Sequence, residues 1–217
     1  DTRKVGCTFQ LARNPWILSL TMRITWIVDS NNPGWQITEQ LCQSHLASAR
    51  LRVAIPSRVL SARGHRTAIF SPALSNESVR NINGKDIDIA VFAKLSDTDE
   101  NAFRRCAALW LELAKVLKRA GVRIVADICD NHFGDYRGDY LRTLCAMADV
   151  ITVNTPTRDG IVQQHTGRRA CVCSDPVEGA KMPPRFSPGA RLRVLWFGHQ
   201  SNLRSCARAL PEFLRLV

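Results

Sequence analysis

Short apolar, β-rich runs alternate with helix-length segments along most of this chain, and that alternation constrains the fold more than any other feature. The runs are "MRITWIVDS" (22–30), "RTAIFSP" (66–72), "DIDIAVFAKL" (86–95), "VRIVADICD" (122–130), "DVITVN" (149–154) and "ACVCS" (170–174). The first is followed by a polar, Gly- and Pro-containing loop, "NNPGWQITEQ". Helical segments are predicted over 45–65, 99–120 and 139–147, and from Thr155-Pro156 to near Gly167. The 99–120 segment carries the plainest signal, because Phe103, Ala107, Trp110, Ala114 and Leu117 recur at helical spacing. Ser96 and Asp97 stand where caps belong, and Lys115, Lys118 and Arg119 suit the negative end of the helix dipole. Pro56 lies inside the 45–65 segment and either kinks it or starts a shorter helix. Strands separated by helices predict an α/β fold, a parallel sheet with helices on both faces.

With 217 residues, 45% of them hydrophobic, the chain is long enough for one such domain and too short for two. Residues 1–21 read as an N-terminal extension, with Met22 as the candidate initiator. Residues 22–178 read as one lobe, and the Pro-rich bridge over 179–190 as a linker. Residues 191–217 restart with a strand, a Gly turn and a helix, which cannot bury a core alone. The expectation is one complete lobe followed by a truncated second one.

The formal net charge of +11 fits either a basic surface or an anionic partner. Basic residues are dispersed and no nucleic-acid motif occurs, so no nucleic-acid partner is expected. The eight cysteines include no CxxC; Cys171 and Cys173 are spaced C-x-C, and several others lie in apolar runs. They read as reduced, buried thiols in a cytosolic protein, with no metal site. No stretch is long and apolar enough to span a bilayer. The first strand is not followed by GxGxxG, and GxxxxGK[ST] and GxSxG do not occur. NAD-type, P-loop and α/β-hydrolase chemistry are therefore disfavoured.

Three passages carry a family resemblance: "SARLRVAIPSRVLSARGH" (48–65), "ADVITVNTPTRDGIVQQHTGRRACVCSDPVE" (148–178) and "LRVLWFGHQSN" (192–202). In their order and spacing they resemble the N-terminal half of a GT-B-type glycosyltransferase, of the group 1 or family 4-like kind. The resemblance covers roughly residues 22–217. It implies a Rossmann-like first lobe of a two-lobe enzyme, a nucleotide-sugar donor, and a sugar, lipid or protein acceptor. It also implies no resident cofactor or catalytic metal, and a cytoplasmic site of action with room for peripheral contact at the inner face of a membrane. The segment that holds the donor in such enzymes would lie beyond Val217. The Gly-rich turn often found after their first strand is reduced here to "NNPGW". The isolated chain is therefore expected to be inactive or nearly so. A non-catalytic α/β module for a phosphorylated small molecule, and an inactive gene relic, are the alternatives.

Ligands of open α/β sheets bind beyond the carboxyl ends of the strands. That rule points to the loops Asp29–Gln36, Asp130–Asp139 and Gly198–Asn202. Asp130 and His132 are the candidate acid/base pair, against a turn-capping aspartate and an exposed loop histidine. Ser48, Arg50 and Arg52 are candidate phosphate or acceptor contacts, against a solvated helix face. Gly198, His199 and Asn202 are candidate donor contacts, because a Gly turn before a helix lets backbone amides approach phosphate.

Overall fold

The computed structural model describes residues 21–29, 34–36, 44, 46–72, 82, 84–95, 99–176, 178, 210, 211 and 215. The chain divides into two compact units, 1–178 and 179–217. In the second, the described residues 210, 211 and 215 have helical backbone.

The first unit is built on β1 (Arg23–Ile27), β2 (Gly34–Gln36), β3 (Arg66–Ser71), β4 (Ile89–Phe92), β5 (Arg123–Ile128), β6 (Val150–Val153) and β7 (Cys171–Val172). They form one sheet in the order β2-β3-β1-β4-β5-β6-β7. Six strands are parallel, as the alternation predicts, and β2 joins β3 antiparallel at one edge. That edge strand falls inside the segment read from sequence as a loop. Three residues in a Gly- and Pro-containing stretch give no period-2 signal.

Side chains alternate between the two faces of a strand, and here both faces are covered. On one face Ile27, Phe92, Ile124, Ala126, Ile151 and Val153 meet α3 (Glu100–Arg119), α4 (Gly138–Met147) and α5 (Pro156–Thr166). Phe103, Leu113 and Leu117 of α3 are almost wholly buried there. On the other face Ile24, Trp26, Ile69, Ile89 and Val91 meet Val53 and Leu60. These two residues belong to a helical run made of α1 (Ala47–Ala49), a π turn over Arg50–Ala54, and α2 (Ile55–Ala62). Helices thus lie on both faces, the Rossmann-like arrangement.

The π turn settles what Pro56 does. Proline has no N–H to give the carbonyl four residues back, and its ring crowds that carbonyl. The carbonyl is that of Arg52, and the Trp26 indole N–H donates to it at 3.2 Å. The run stays helical by widening one turn rather than breaking. α3 spans Glu100–Arg119, within a residue of the predicted 99–120, but its cap differs. Its cap is Asp99, whose side chain accepts from the Ala102 N–H at 2.7 Å, rather than Ser96 or Asp97. Gly64, Gly121 and Gly167 follow the helices with positive φ, the conformation that glycine supplies past a helix end.

Candidate active site

β1 has β3 on one side and β4 on the other, so the strand order reverses between β1 and β4. Crevices form at the carboxyl ends of strands at such a reversal. Here a cavity of about 40 Å³ opens between Val28-Asp29 after β1 and Ala93-Lys94 after β4, and Ser48 lies on its wall. A second cavity, about 30 Å³, shares Ala93 and Lys94 and extends toward Asp130, His132, Arg137 and Tyr140.

The loop from β5 to α4 supplies most of the chemistry. Its fold follows from local hydrogen bonding. Asn131 Oδ1 accepts from the Phe133 N–H at 3.4 Å, and Asp135 Oδ1 accepts from the Arg137 N–H at 2.9 Å. Phe133 is buried and stacks on His165 of α5, centroids 4.9 Å apart and planes within 3°. Tyr136 meets Phe103 edge-on at 5.4 Å, with Arg137 over its ring at 4.8 Å. Gly138 closes the loop where the chain folds tightly on itself. A Cβ there would be driven into the Phe133 carbonyl oxygen and toward Arg142. Gly138→Ala should therefore cost about 1–3 kcal/mol of stability, read as a lower urea midpoint.

Within this frame His132 Nδ1 lies 3.0 Å from Asp135 Oδ2. Asp135 is gripped in turn by the Arg137 guanidinium, at 3.1 and 2.8 Å. Burial opposes ionisation of Asp135, but the Arg137 side-chain and backbone hydrogen bonds and the His132 contact overcome it, lowering its pKa to about 2. The group is thus a carboxylate that only accepts hydrogen bonds, so the shared proton sits on Nδ1. The ring's other nitrogen, Nε2, makes no hydrogen bond among the described residues. The anchoring is complete above the unfolded-state carboxyl value, about pH 4. It is lost as pH falls through about 2. Broadening of the 131–138 amides in an acid titration is the check.

Asp130 pairs with Lys94 Nζ at 2.5 Å. Burial favours the neutral acid, yet the hydrogen bond and charge of Lys94, then His132 and Arg158, hold its pKa below the ordinary value. Asp130 is therefore a half-exposed, ionised group beside the dyad. Arg158 stands in the first turn of α5, and its Nε is buried with no partner among the described residues.

The two arginines from the π turn are engaged elsewhere. Arg52 forks onto Asp127, with Nε 3.0 Å from Oδ2 and Nη2 on Oδ1. Its Nη1 donates to the Cys173 carbonyl at 2.6 Å and meets Asp175 at 3.2 Å. The Arg52 and Asp127 side chains are only 8% and 4% exposed, which makes this an internal brace. Arg50 binds Glu178 through two nitrogens, at 2.8 and 3.1 Å. Both forks hold carboxylates of this unit. Of the three predicted phosphate or acceptor contacts, Ser48 alone lines a cavity at the strand ends.

Asp130 and His132 border one cavity with Lys94, Asp127 and Arg137, and Asp135 contacts His132. Asp135 follows His132 by three residues, a spacing that only this loop geometry turns into a contact. Asp127 had a visible signal, a lone acid inside "RIVADIC". Gly198, His199 and Asn202 lie outside the described residues. Cys129, beside the site, is pushed up to about 12 by burial and by Asp130 and Asp127, so it is an inert thiol. Cys106 and Cys145 are buried free thiols. Among the described residues no cluster of His, Cys, Asp and Glu could hold a metal ion. Nor is any helix long and apolar enough to cross a membrane. No protein-family model matches the sequence, and no curated protein matches it.

Proposed function

We propose that this chain contributes the acceptor-side lobe of a GT-B-type glycosyltransferase, which moves a sugar from a nucleotide-sugar donor to a hydroxyl acceptor. The observation that carries the proposal is the His132–Asp135 dyad, on the loop after β5, where His132 borders the cavity that Lys94 and Asp130 also line. Sugar transfer with inversion needs a base at that place. The acceptor O–H would give its proton to Nε2 as the oxygen bonds to the anomeric carbon. The bond from that carbon to the diphosphate breaks, and its electron pair leaves with the nucleoside diphosphate. Asp135 orients the ring and stabilises the imidazolium that forms. The ionised Asp130 faces the same charge. The Rossmann-like sheet and the three passages of family resemblance support this reading.

A test is NMR titration of the protein with simple sugars and cyclitols. The reading expects shifts of the His132 ring and of the 93–94 and 129–138 amides. No shift there with any polyol at millimolar concentration would reject it.

One observation favours a second reading, a binding module for a phosphorylated small molecule. Arg158 has a buried Nε with no partner among the described residues, and its charge acts on Asp130; arginine suits phosphate. A sugar phosphate that binds far more tightly than the parent sugar, and loses that advantage in Arg158→Gln, would favour this reading.

A further inference from the structure

Tyr140 lies on α4 with its side chain packed edge-on against Phe103 at 5.7 Å, and it is 5% exposed. Among the described residues its hydroxyl has no hydrogen-bond partner. A buried hydroxyl left unpaired is destabilising, a cost that phenylalanine would avoid in the same volume. Such exceptions call for an explanation. Tyr140 also walls the 30 Å³ cavity that Lys94, Asp130 and His132 border. Burial, with Cys145 and Asp29 nearby, keeps the phenol protonated and able to donate.

We infer that Tyr140 is a ligand-contacting residue, whose hydroxyl bonds a hydroxyl of an uncharged polyol inserted beneath Lys94 and Asp130. This rests on the transferase reading and specifies its acceptor. Three features point to a neutral polyol. The cavity has room for about two water-sized atoms, since one water needs roughly 10–15 Å³; that suits a hydroxymethyl arm. Its charges are matched in pairs, Lys94 with Asp130 and Arg137 with Asp135, so the lysine and the arginine that line it are already engaged by carboxylates. Phe103, Leu141 and Leu144 supply an apolar wall for the C–H face of a ring.

The experiment compares the protein with Tyr140→Phe, using glucose, mannose, galactose and myo-inositol as NMR probes and inorganic phosphate as competitor. The expected result has two parts. Tyr140→Phe is as stable as the parent or more so, and at least one polyol that shifts the His132 ring binds it about tenfold more weakly, the loss of one good hydrogen bond. Phosphate does not displace that polyol. Lower stability of Tyr140→Phe would reveal a structural partner for the hydroxyl and overturn the inference. So would equal polyol binding by both proteins, or displacement by phosphate. A polyol that shifts His132 while ignoring Tyr140 sinks this inference alone; the absence of any polyol binding sinks the transferase reading with it.

Discussion

Arg52→Ala should lower folding stability by about 3–5 kcal/mol, the usual cost of removing one partner from a buried ion pair. The fork fills with nothing when the side chain is cut back. Asp127, 4% exposed, would keep only the Thr152 hydroxyl at 2.7 Å. The Cys173 carbonyl and Asp175 would lose a donor as well. A domain of this kind has about 5–15 kcal/mol of stability in all, so a third or more would vanish. Urea unfolding measures it directly. Two controls separate the buried charge from lost packing. The double replacement Arg52→Met, Asp127→Leu should recover much of the loss, because apolar pairs of similar volume often replace buried ions without penalty. Arg50→Ala should cost far less than Arg52→Ala, since its pair with Glu178 is solvated and screened. Equal costs for Arg50→Ala and Arg52→Ala would refute the distinction between brace and surface pair.

On the proposed transferase reading, His132→Gln in a chain that also carries a donor-binding lobe should lower kcat by about 10²–10⁴-fold, the typical contribution of a positioned base. Glutamine keeps polar bulk near Asp135 but cannot take up a proton. His132 is a quarter exposed on a loop held by Phe133 and Tyr136, so stability should stay within about 0.5 kcal/mol of the parent. Asp135→Asn should also lower kcat, because an amide can donate to Nδ1 and so favour the wrong tautomer. An undiminished rate in His132→Gln would remove the histidine from the mechanism.

The parallel strands were legible because each is a dense apolar run bounded by turn residues, and α3 because its apolar residues recur at 3.6. β2 was not legible. It is short, and it owes its existence to the open edge of β3 rather than to any pattern of its own. The site was half legible. Asp130 and His132 stand where a strand ends, so topology alone nominates them. Lys94 looks from sequence like the tail of a strand, and its value comes from β4 and β5 being neighbours. Arg52 was read as a surface or ligand-facing arginine because its partners lie 75 and 121 residues away. No local spacing reports such a contact. The π turn that aims it depends on Pro56 and on an indole from a different strand.

The arginine brace also bears on the order of assembly. Arg50 and Arg52 are made early in synthesis, while Cys173, Asp175 and Glu178 follow more than a hundred residues later. Contacts of such long sequence separation form slowly, because chain entropy is lost before the contact repays it. β7 pairs with β6 through only two residues, so its ladder alone gives it little hold. Docking of this last strand onto the waiting guanidiniums should therefore be the closing event of the unit. Until then Asp127 and Arg52 have each other, but the β6 edge stays open to other chains. Conditions that mask arginine during refolding, such as high phosphate, should prolong that interval and favour aggregation over completion.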